Sequence, residues 1–516
     1  MRLPPFQNLP IRMFDEPSQI AGVENAIEQL KASAGKEYPL VIGGQSYTKD
    51  RPLPTTNPAD PSQVLAVFQK AGREQAESAI TLAAETFETW KFTPAEERAE
   101  YLFKAAQALR QRRDQAVATM VLEAGKNWVE ADGDLAEAVD FLEFYAREAL
   151  RYAGGQELAP YEGEKPELFY IPLGLGTVIA PWNFPLAILT GMASAAIVAG
   201  NCVVLKPASD TPLTGQIFAE VMQEAGLPTG VLTYLPGSGS EIGDAIVDHP
   251  QVRFITFTGS MEIGLRINER AAKVGPGQIW IKRVVVEMGG KDAIIVDRDA
   301  DLDTAAQGIV AAAFGFQGQK CSACSRLIVH QEVHDRLVDL VVDLTKQIKV
   351  GPPEDRANFM GPVINRAAQE NILKYIDMGR REGTLLTGGH RLGNDGHFIE
   401  PTVFSGISPD ARLAQEEIFG PVLAVIKARD FNDALNIANN SIYGLTGAVY
   451  SRNEQHLALA RDAFHVGNLY LNRKCTGALV GVHPFGGFNM SGTDSKAGGR
   501  DYLGLFLQAK SVTRKI

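Results

Sequence analysis

Two short segments carry residue types that could do chemistry. In FGFQGQKCSACSR, Cys321 follows a glycine-rich turn and an apolar helical run, Ala305 to Phe316. Gly318 would let the backbone approach a ligand closely. A thiolate there would be a strong nucleophile, although a free thiol titrates near ~8.5 and stays mostly protonated at neutral pH without help from its surroundings. In VVVEMGGKD, a valine-rich strand delivers Glu287 to a double glycine. A carboxylate in an apolar strand end would have a raised pKa suited to a general base. Each residue also has a plain reading: Cys321 as a small buried hydrophobe, Glu287 as a solvated strand end. Cys321 and Cys324 form a CxxC, which could be a redox pair or half of a zinc site. Cys202, Cys475 and the eight histidines supply no second CxxC or HxxxH pair, so no metal is predicted.

These segments must be placed by a scaffold, and its periodicity is readable. From Gly176 onward short apolar strands alternate with helical sequence: GTVIAP, CVVLKP, GVLTYLP, RFITFTG and RVVVEMG. That alternation predicts a parallel, doubly wound α/β sheet. Such sheets bind ligands beyond the carboxyl ends of their strands, where this chain places Trp182, Asn183, Lys206, Gly237, Gly259 and Ser260. A second α/β series follows Glu287, with AIIV, RLIVH, VLAVI, GAVYS and NLYLN as strands. Before the first sheet, Ala76, Ile80, Ala83, Phe87 and Trp90 share one helical face, as do Leu102, Ala105 and Leu109. The uncharged stretch from Leu186 to Leu205 is long enough to span a membrane, but Gly200-Asn201 divides it into a helix, a turn and a buried strand. The tail, FLQAKSVT, alternates like an edge strand, either a subunit contact or a strand closing its own sheet.

Composition narrows the function classes. A chain of 516 residues exceeds one ordinary core and implies two major domains. A net charge of −11, without a basic run, argues against a nucleic-acid partner. Four cysteines are too sparse for a disulfide framework and fit a reducing cytoplasm. The opening MRLPPFQNLPIRMFDEPSQ interrupts any apolar segment with prolines and charges, so a surface arm rather than an export signal is expected.

VEMGGKD and FQGQKCSACSR closely resemble the glutamate and cysteine motifs of the aldehyde dehydrogenase superfamily. APWNFP, LKPAS, FTGS, EEIFGP and PFGGFNMSG resemble further landmarks of that family, in order along the chain. The resemblance implies an aldehyde-dehydrogenase-like α/β fold, with two doubly wound domains and a small oligomerisation extension. It makes residues 1–152 and 172–286 a cofactor-binding domain and 287–475 a catalytic domain. Segments 153–171 and 493–516 become oligomerisation elements, and 476–492 a substrate-anchoring loop. It implies Cys321 as nucleophile, Asn183 as oxyanion residue and Glu287 as the base that activates water. Asn183 could instead be a helix N-cap ahead of Pro185.

For the cofactor, an NAD, the resemblance points to Ile179, Ala180, Pro181, Trp182, Lys206, Ser209, Gly237, Gly239, Phe257, Thr258, Gly259, Ser260, Glu417 and Phe419. Taken singly, Lys206 and Glu417 could be solvated charges. No GxGxxG fingerprint occurs, since GLGTVI lacks the third glycine and GSGSEIG has the wrong spacing; the superfamily also lacks it. Many NAD-specific members carry a glutamate where this chain has Ser209, so NADP is also compatible, although Asp210 could restore some repulsion of its phosphate.

Within the superfamily, GKNWVEADGDLAEAVDFLEFYARE, GFQGQKCSACSR and NLYLNRKCTGALVGVHPFGG resemble the 1-pyrroline-5-carboxylate dehydrogenases, which oxidise glutamate semialdehyde to glutamate in proline catabolism. That likeness implies that backbone N–H groups of Gly477 and Ala478 and the Ser322 hydroxyl hold a substrate carboxylate. Phe184 and Phe485 would clamp its aliphatic chain, and Glu137 would meet its amine. A plain turn at Gly477 and a structurally paired Glu137 are the alternatives. Other readings are a dehydrogenase for another carboxylated semialdehyde such as succinate semialdehyde, a thiol esterase, or a non-catalytic dehydrogenase-like binding protein. A homodimer or higher homo-oligomer is expected.

Overall fold

The computed structural model describes residues 3–48, 51–393 and 395–516. Among these, two largely parallel sheets dominate. The first runs in the order Arg283–Glu287, Val252–Thr258, Leu175–Ile179, Cys202–Lys206, Leu232–Tyr234, all neighbours parallel. Its middle strands are buried along both faces, which is why CVVL reads as an unbroken apolar run and GTVI is interrupted only by Thr177, whose hydroxyl donates to the Ile246 carbonyl. Helix Ala187–Val198 packs on this sheet and is followed by Gly200 at φ +96°, a left-handed turn that sends the chain back into strand Cys202–Lys206. The apolar stretch is therefore a core hairpin, and among the described residues no helix is long and apolar enough to cross a membrane.

The second sheet has the order Thr384–Thr387, Thr402–Ser405, Val422–Ala428, Arg326–His330, Ala293–Val296, Thr446–Tyr450, Asn468–Leu471. Five of these match the sequence expectation. Thr384–Thr387, the antiparallel edge, and its neighbour Thr402–Ser405 were not anticipated, being four residues long with only two apolar residues between polar ends. The helix expected at Ala305–Phe316 spans Leu302–Phe314; Phe316 and Gln317 instead adopt left-handed backbone angles, φ 48° and 56°.

The N-terminal region, expected to be helical, also contains strands. Lys36–Tyr38, Asp60–Gln69 and Pro52–Asn57 form a small sheet, and Leu40–Ile42 pairs with Gln45–Tyr47. The hairpin signal was present in Gly43-Gly44, whose φ values of 62° and 80° are those of a tight two-residue turn. Helices Arg73–Trp90 and Ala95–Gln111 bury the apolar faces read from sequence, with Phe87 only partly covered.

The opening arm lies along helix Trp128–Ala153, which carries Glu137. Asn8 donates from Nδ2 to Asp140 (2.8 Å) and to the Val480 carbonyl (2.9 Å), joining that helix to the 476–492 loop. Arg12 and Arg113 converge on Asp132, whose side chain has no solvent exposure. The tail strand Leu507–Lys515 pairs antiparallel with Glu164–Pro172 in a two-stranded ribbon within the same chain.

Asp132→Ala strips a buried carboxylate from two guanidinium groups, and breaking such a pair costs about 3–5 kcal/mol. Urea unfolding is expected to shift accordingly, and trypsin to cleave at Arg12 faster than in the parent protein. An unchanged midpoint and cleavage rate would mean the arm is not anchored there.

Candidate active site

A cavity of about 750 Å³ opens at the carboxyl ends of the first sheet's strands. Strand Leu175–Ile179 leads into its wall through Ile179, Ala180, Pro181, Trp182 and Asn183; strand Cys202–Lys206 contributes Lys206 from its last position. Phe257, Thr258, Gly259 and Ser260 follow from strand Val252–Thr258, and Gly239 from the turn after Leu232–Tyr234. The opposite wall comes from the second half of the chain: Cys321, Glu417 and Phe419. Ser209 and Gly237 lie one and two residues from the lining residues Ala208 and Gly239 without being part of the cavity wall themselves. Ser209 Oγ instead donates to the Gly237 carbonyl at 3.4 Å.

The cavity suits a dinucleotide. Its volume lies in the range of cofactor sites. Helix Met261–Ala271 starts against it, with the Ser260 side chain accepting from the Ile263 N–H, so a helix N-terminus faces any bound phosphate. Lys206 is 6% exposed, which rules out a solvated charge, and burial lowers its pKa to about 8. Glu417 accepts from the Gly290 N–H at 3.1 Å, and burial raises it to about 7. Asp210, the carboxylate nearest in sequence to the missing glutamate, accepts from Asn365 Nδ2 at 2.9 Å.

Cys321 is half-buried on the cavity wall, and its thiol is pushed up by burial and then by Asp292, Glu417 and Glu287. Asn183 is no helix N-cap: the helix begins at Ala187, and the Asn183 amide donates to the Gln319 carbonyl at 3.2 Å, two residues before Cys321. Glu287 ends the sheet's edge strand but is not on the cavity wall. Its carboxylate accepts from the Gly487 N–H (3.2 Å) and the Ser495 hydroxyl (2.5 Å), while burial raises its pKa to about 8. All four cysteines are free thiols, and among the described residues no group of three or more acidic, histidine or cysteine side chains is arranged to hold a metal.

Beyond Cys321, the residues expected at a substrate end form a mixed picture. Phe184 packs edge-on to Phe316 at 6.5 Å, and Glu137 is raised to about 8, chiefly by burial and then by Asp134. Ser322 is buried, and its carbonyl accepts from Thr446 Oγ1 and Cys475 Sγ, each at 3.4 Å. Phe485 exchanges two backbone hydrogen bonds with Ala497. Gly477 is exposed with φ +81°. Among the described residues, neither its N–H nor that of Ala478 is donated to any acceptor.

Sequence reasoning missed the charged groups that support this end. Lys126 is fully buried, 2.9 Å from Asp134, with its ammonium 4.0 Å from the Phe184 ring centre and 4.4 Å from that of Phe316. Lys320, beside Cys321, pairs with Glu130 at 2.6 Å. Only the lysine preceding the cysteine was visible as a signal; the others are remote in sequence. The left-handed Gln317 is held by its own side chain, which donates to the carbonyls of Gly125 (2.9 Å) and Pro362 (2.8 Å).

The family model for the aldehyde dehydrogenase family matches residues 45–512. The chain is 56% identical over 509 residues to a 1-pyrroline-5-carboxylate dehydrogenase of Geobacillus sp. (strain WCH70), covering 99% of both. The Thermus 1-pyrroline-5-carboxylate dehydrogenase solved with bound NAD superposes with a TM-score of 0.98 at 50% identity and full coverage of both chains. Betaine aldehyde dehydrogenase from Staphylococcus aureus, in complex with NAD+, gives 0.89 at 30% identity, covering 96% of this chain and 97% of the other.

Lys126→Met leaves Asp134 buried without a counter-charge and is expected to cost about 3–5 kcal/mol in urea unfolding. Adding Asp134→Asn should recover a large part of that loss, since the bare charge is then gone. A double variant no more stable than the single one would rule out the ion pair as the source.

Proposed function

The chain belongs to the aldehyde dehydrogenase family, and from that premise we propose that it oxidises L-glutamate 5-semialdehyde, formed from 1-pyrroline-5-carboxylate, to L-glutamate, the second step of proline degradation. The observation that carries the reading is the meeting of Cys321 and Asn183 on the wall of a cavity that also holds Lys206 and Glu417. A thiol, an amide and a dinucleotide-sized space in one place are what thioester-forming aldehyde oxidation requires, and a thiol esterase or a mere binding module would have no use for all three.

In this reading the Cys321 thiolate attacks the aldehyde carbonyl and forms a tetrahedral hemithioacetal. The Asn183 amide and the Cys321 N–H take up the developing oxyanion charge, an effect worth about 3–4 kcal/mol for one donor. Bound NAD supplies the hydride acceptor. Glu287 removes a proton from the water that hydrolyses the resulting thioester. Ile179 to Trp182, Gly239, Phe257 to Ser260, Lys206, Glu417 and Phe419 hold the cofactor, while Ser209 and Gly237 support that wall through their mutual hydrogen bond. With no carboxylate at Ser209, NADP is compatible as an alternative acceptor, although the Asp210 carboxylate, which accepts from the neutral Asn365 amide, would oppose its phosphate.

At the other end, the free N–H groups of Gly477 and Ala478, with Ser322, hold the substrate carboxylate. Phe184 and Phe485 flank its chain, and Glu137 faces its amine. Four free thiols suit the reducing cytoplasm, and the long exposed ribbon of 164–172 with 507–515 suits a homodimer or higher homo-oligomer.

Cys321→Ala is expected to abolish nicotinamide reduction on glutamate semialdehyde. Because the base must be ionised and its pKa is about 8, thioester hydrolysis should be lost as pH falls through 8 and level off above it. Glu287→Gln should remove that limb and slow turnover by about 100-fold or more, within the range of general-base contributions. Activity of Cys321→Ala equal to the parent, or a higher kcat/KM with succinate semialdehyde than with glutamate semialdehyde, would overturn respectively the mechanism and the substrate.

A further inference from the structure

We infer that Arg473 is a positioning residue that builds the carboxylate-binding face of the 476–492 loop and thereby sets the preference for a carboxylated aldehyde. The inference rests on the reading of Gly477 and Ala478 given above.

One nitrogen of the Arg473 guanidinium, Nη2, donates to two consecutive carbonyls, Thr476 at 2.8 Å and Gly477 at 3.1 Å. In a trans peptide the C=O and N–H point in opposite directions. The N–H groups opposed to these two carbonyls are those of Gly477 and Ala478, the pair with no acceptor among the described residues. Gathering both oxygens onto one cation therefore turns both N–H groups out of the other face of the loop, side by side. Such a concavity of successive N–H groups binds anions.

The geometry has a backbone requirement that the chain meets. Gly477 sits at φ +81°, and a Cβ there would touch only the ends of the Arg473 and Lys474 side chains, at 3.6 and 3.7 Å. Glycine is thus used for its backbone angle and not for space. A positive charge on the oxygen side also polarises both peptides and strengthens their donors.

Arg473 itself is held in place: its guanidinium carbon lies 4.4 Å from the centre of the Tyr470 ring, and Nη1 is 3.4 Å from His483 Nε2. It is partly exposed and lies outside the two sheets, so its replacement tests the loop and not the fold. Lysine would lack the planar group that stacks on Tyr470.

The test compares glutamate semialdehyde with pentanal, an aldehyde without a carboxylate, in the parent, Arg473→Met and Arg473→Lys, together with inhibition by L-glutamate. For Arg473→Met the KM for glutamate semialdehyde and the inhibition constant for glutamate should rise about 10- to 30-fold, the size of two weakened charge-assisted contacts. The kcat for glutamate semialdehyde and the kcat/KM for pentanal should change by less than about threefold, and Arg473→Lys should fall between. Parallel losses on both aldehydes, or an unchanged KM and inhibition constant, would overturn the inference. A parent enzyme that does not prefer glutamate semialdehyde over pentanal would instead defeat the substrate assignment, independently of Arg473.

Discussion

The Lys126 ammonium has no exposure to water, sits 2.9 Å from Asp134, and lies between the faces of Phe184 and Phe316. Phe184 adjoins Asn183, while Phe316 precedes Cys321 by five residues on a turn with left-handed backbone angles. One buried cation thus ties together two connecting segments more than a hundred residues apart, one following strand Leu175–Ile179 of the first sheet and one preceding strand Arg326–His330 of the second. Asp134 completes the tie by accepting the Ala187 N–H at 2.6 Å, which fixes where the helix after Asn183 begins. A buried ion pair gains little net stability over an apolar filling. What it supplies is a defined geometry, because neither charge tolerates being moved away from the other.

The same burial that demands pairing tunes the chemistry. Burial first, and then Asp292, Glu417 and Glu287, hold the Cys321 thiol above its ordinary range, and the same burial raises those carboxyls. Glu287 moves up to about 8, close to working pH, where a carboxyl can both release and recover a proton. Backbone strain is also stored near the site: Phe419, at φ 56°, lines the cavity, and Phe316 and Gln317, also at positive φ without being glycine, precede Cys321 by five and four residues. Gln317 shows how such strain is held, through two side-chain hydrogen bonds to carbonyls on other segments.

Much of the fold was legible because its central strands are buried on both faces. CVVL, AIIV and LIV are continuous apolar runs, GTVI is broken only by Thr177, and a run of that length between helical segments has few other uses. Most of the elements that escaped, among them Thr384–Thr387, Thr402–Ser405 and Pro52–Asn57, are short or lie at sheet edges, where polar side chains and prolines interrupt the pattern; Asp60–Gln69 is the exception, a ten-residue central strand whose VLAVF run the sequence reading passed over. For the short ones, pairing partners and not their own residues make them strands.

By itself the sequence determined the chemical vocabulary: a cysteine after a glycine turn, a glutamate at a strand end, an asparagine and a lysine where parallel strands stop, and a glycine loop near the end of the chain. Those are local facts, set by residue type and spacing. Only the tertiary structure decided that Asn183 reaches Gln319 and not a helix end, that Ser209 and Gly237 bond each other outside the cavity, and that Lys126 and Arg473 hold the parts in place. The physical reason is distance along the chain: a hydrogen bond or a cation against a ring depends on side chains brought within a few ångströms from remote positions, and no local pattern records that.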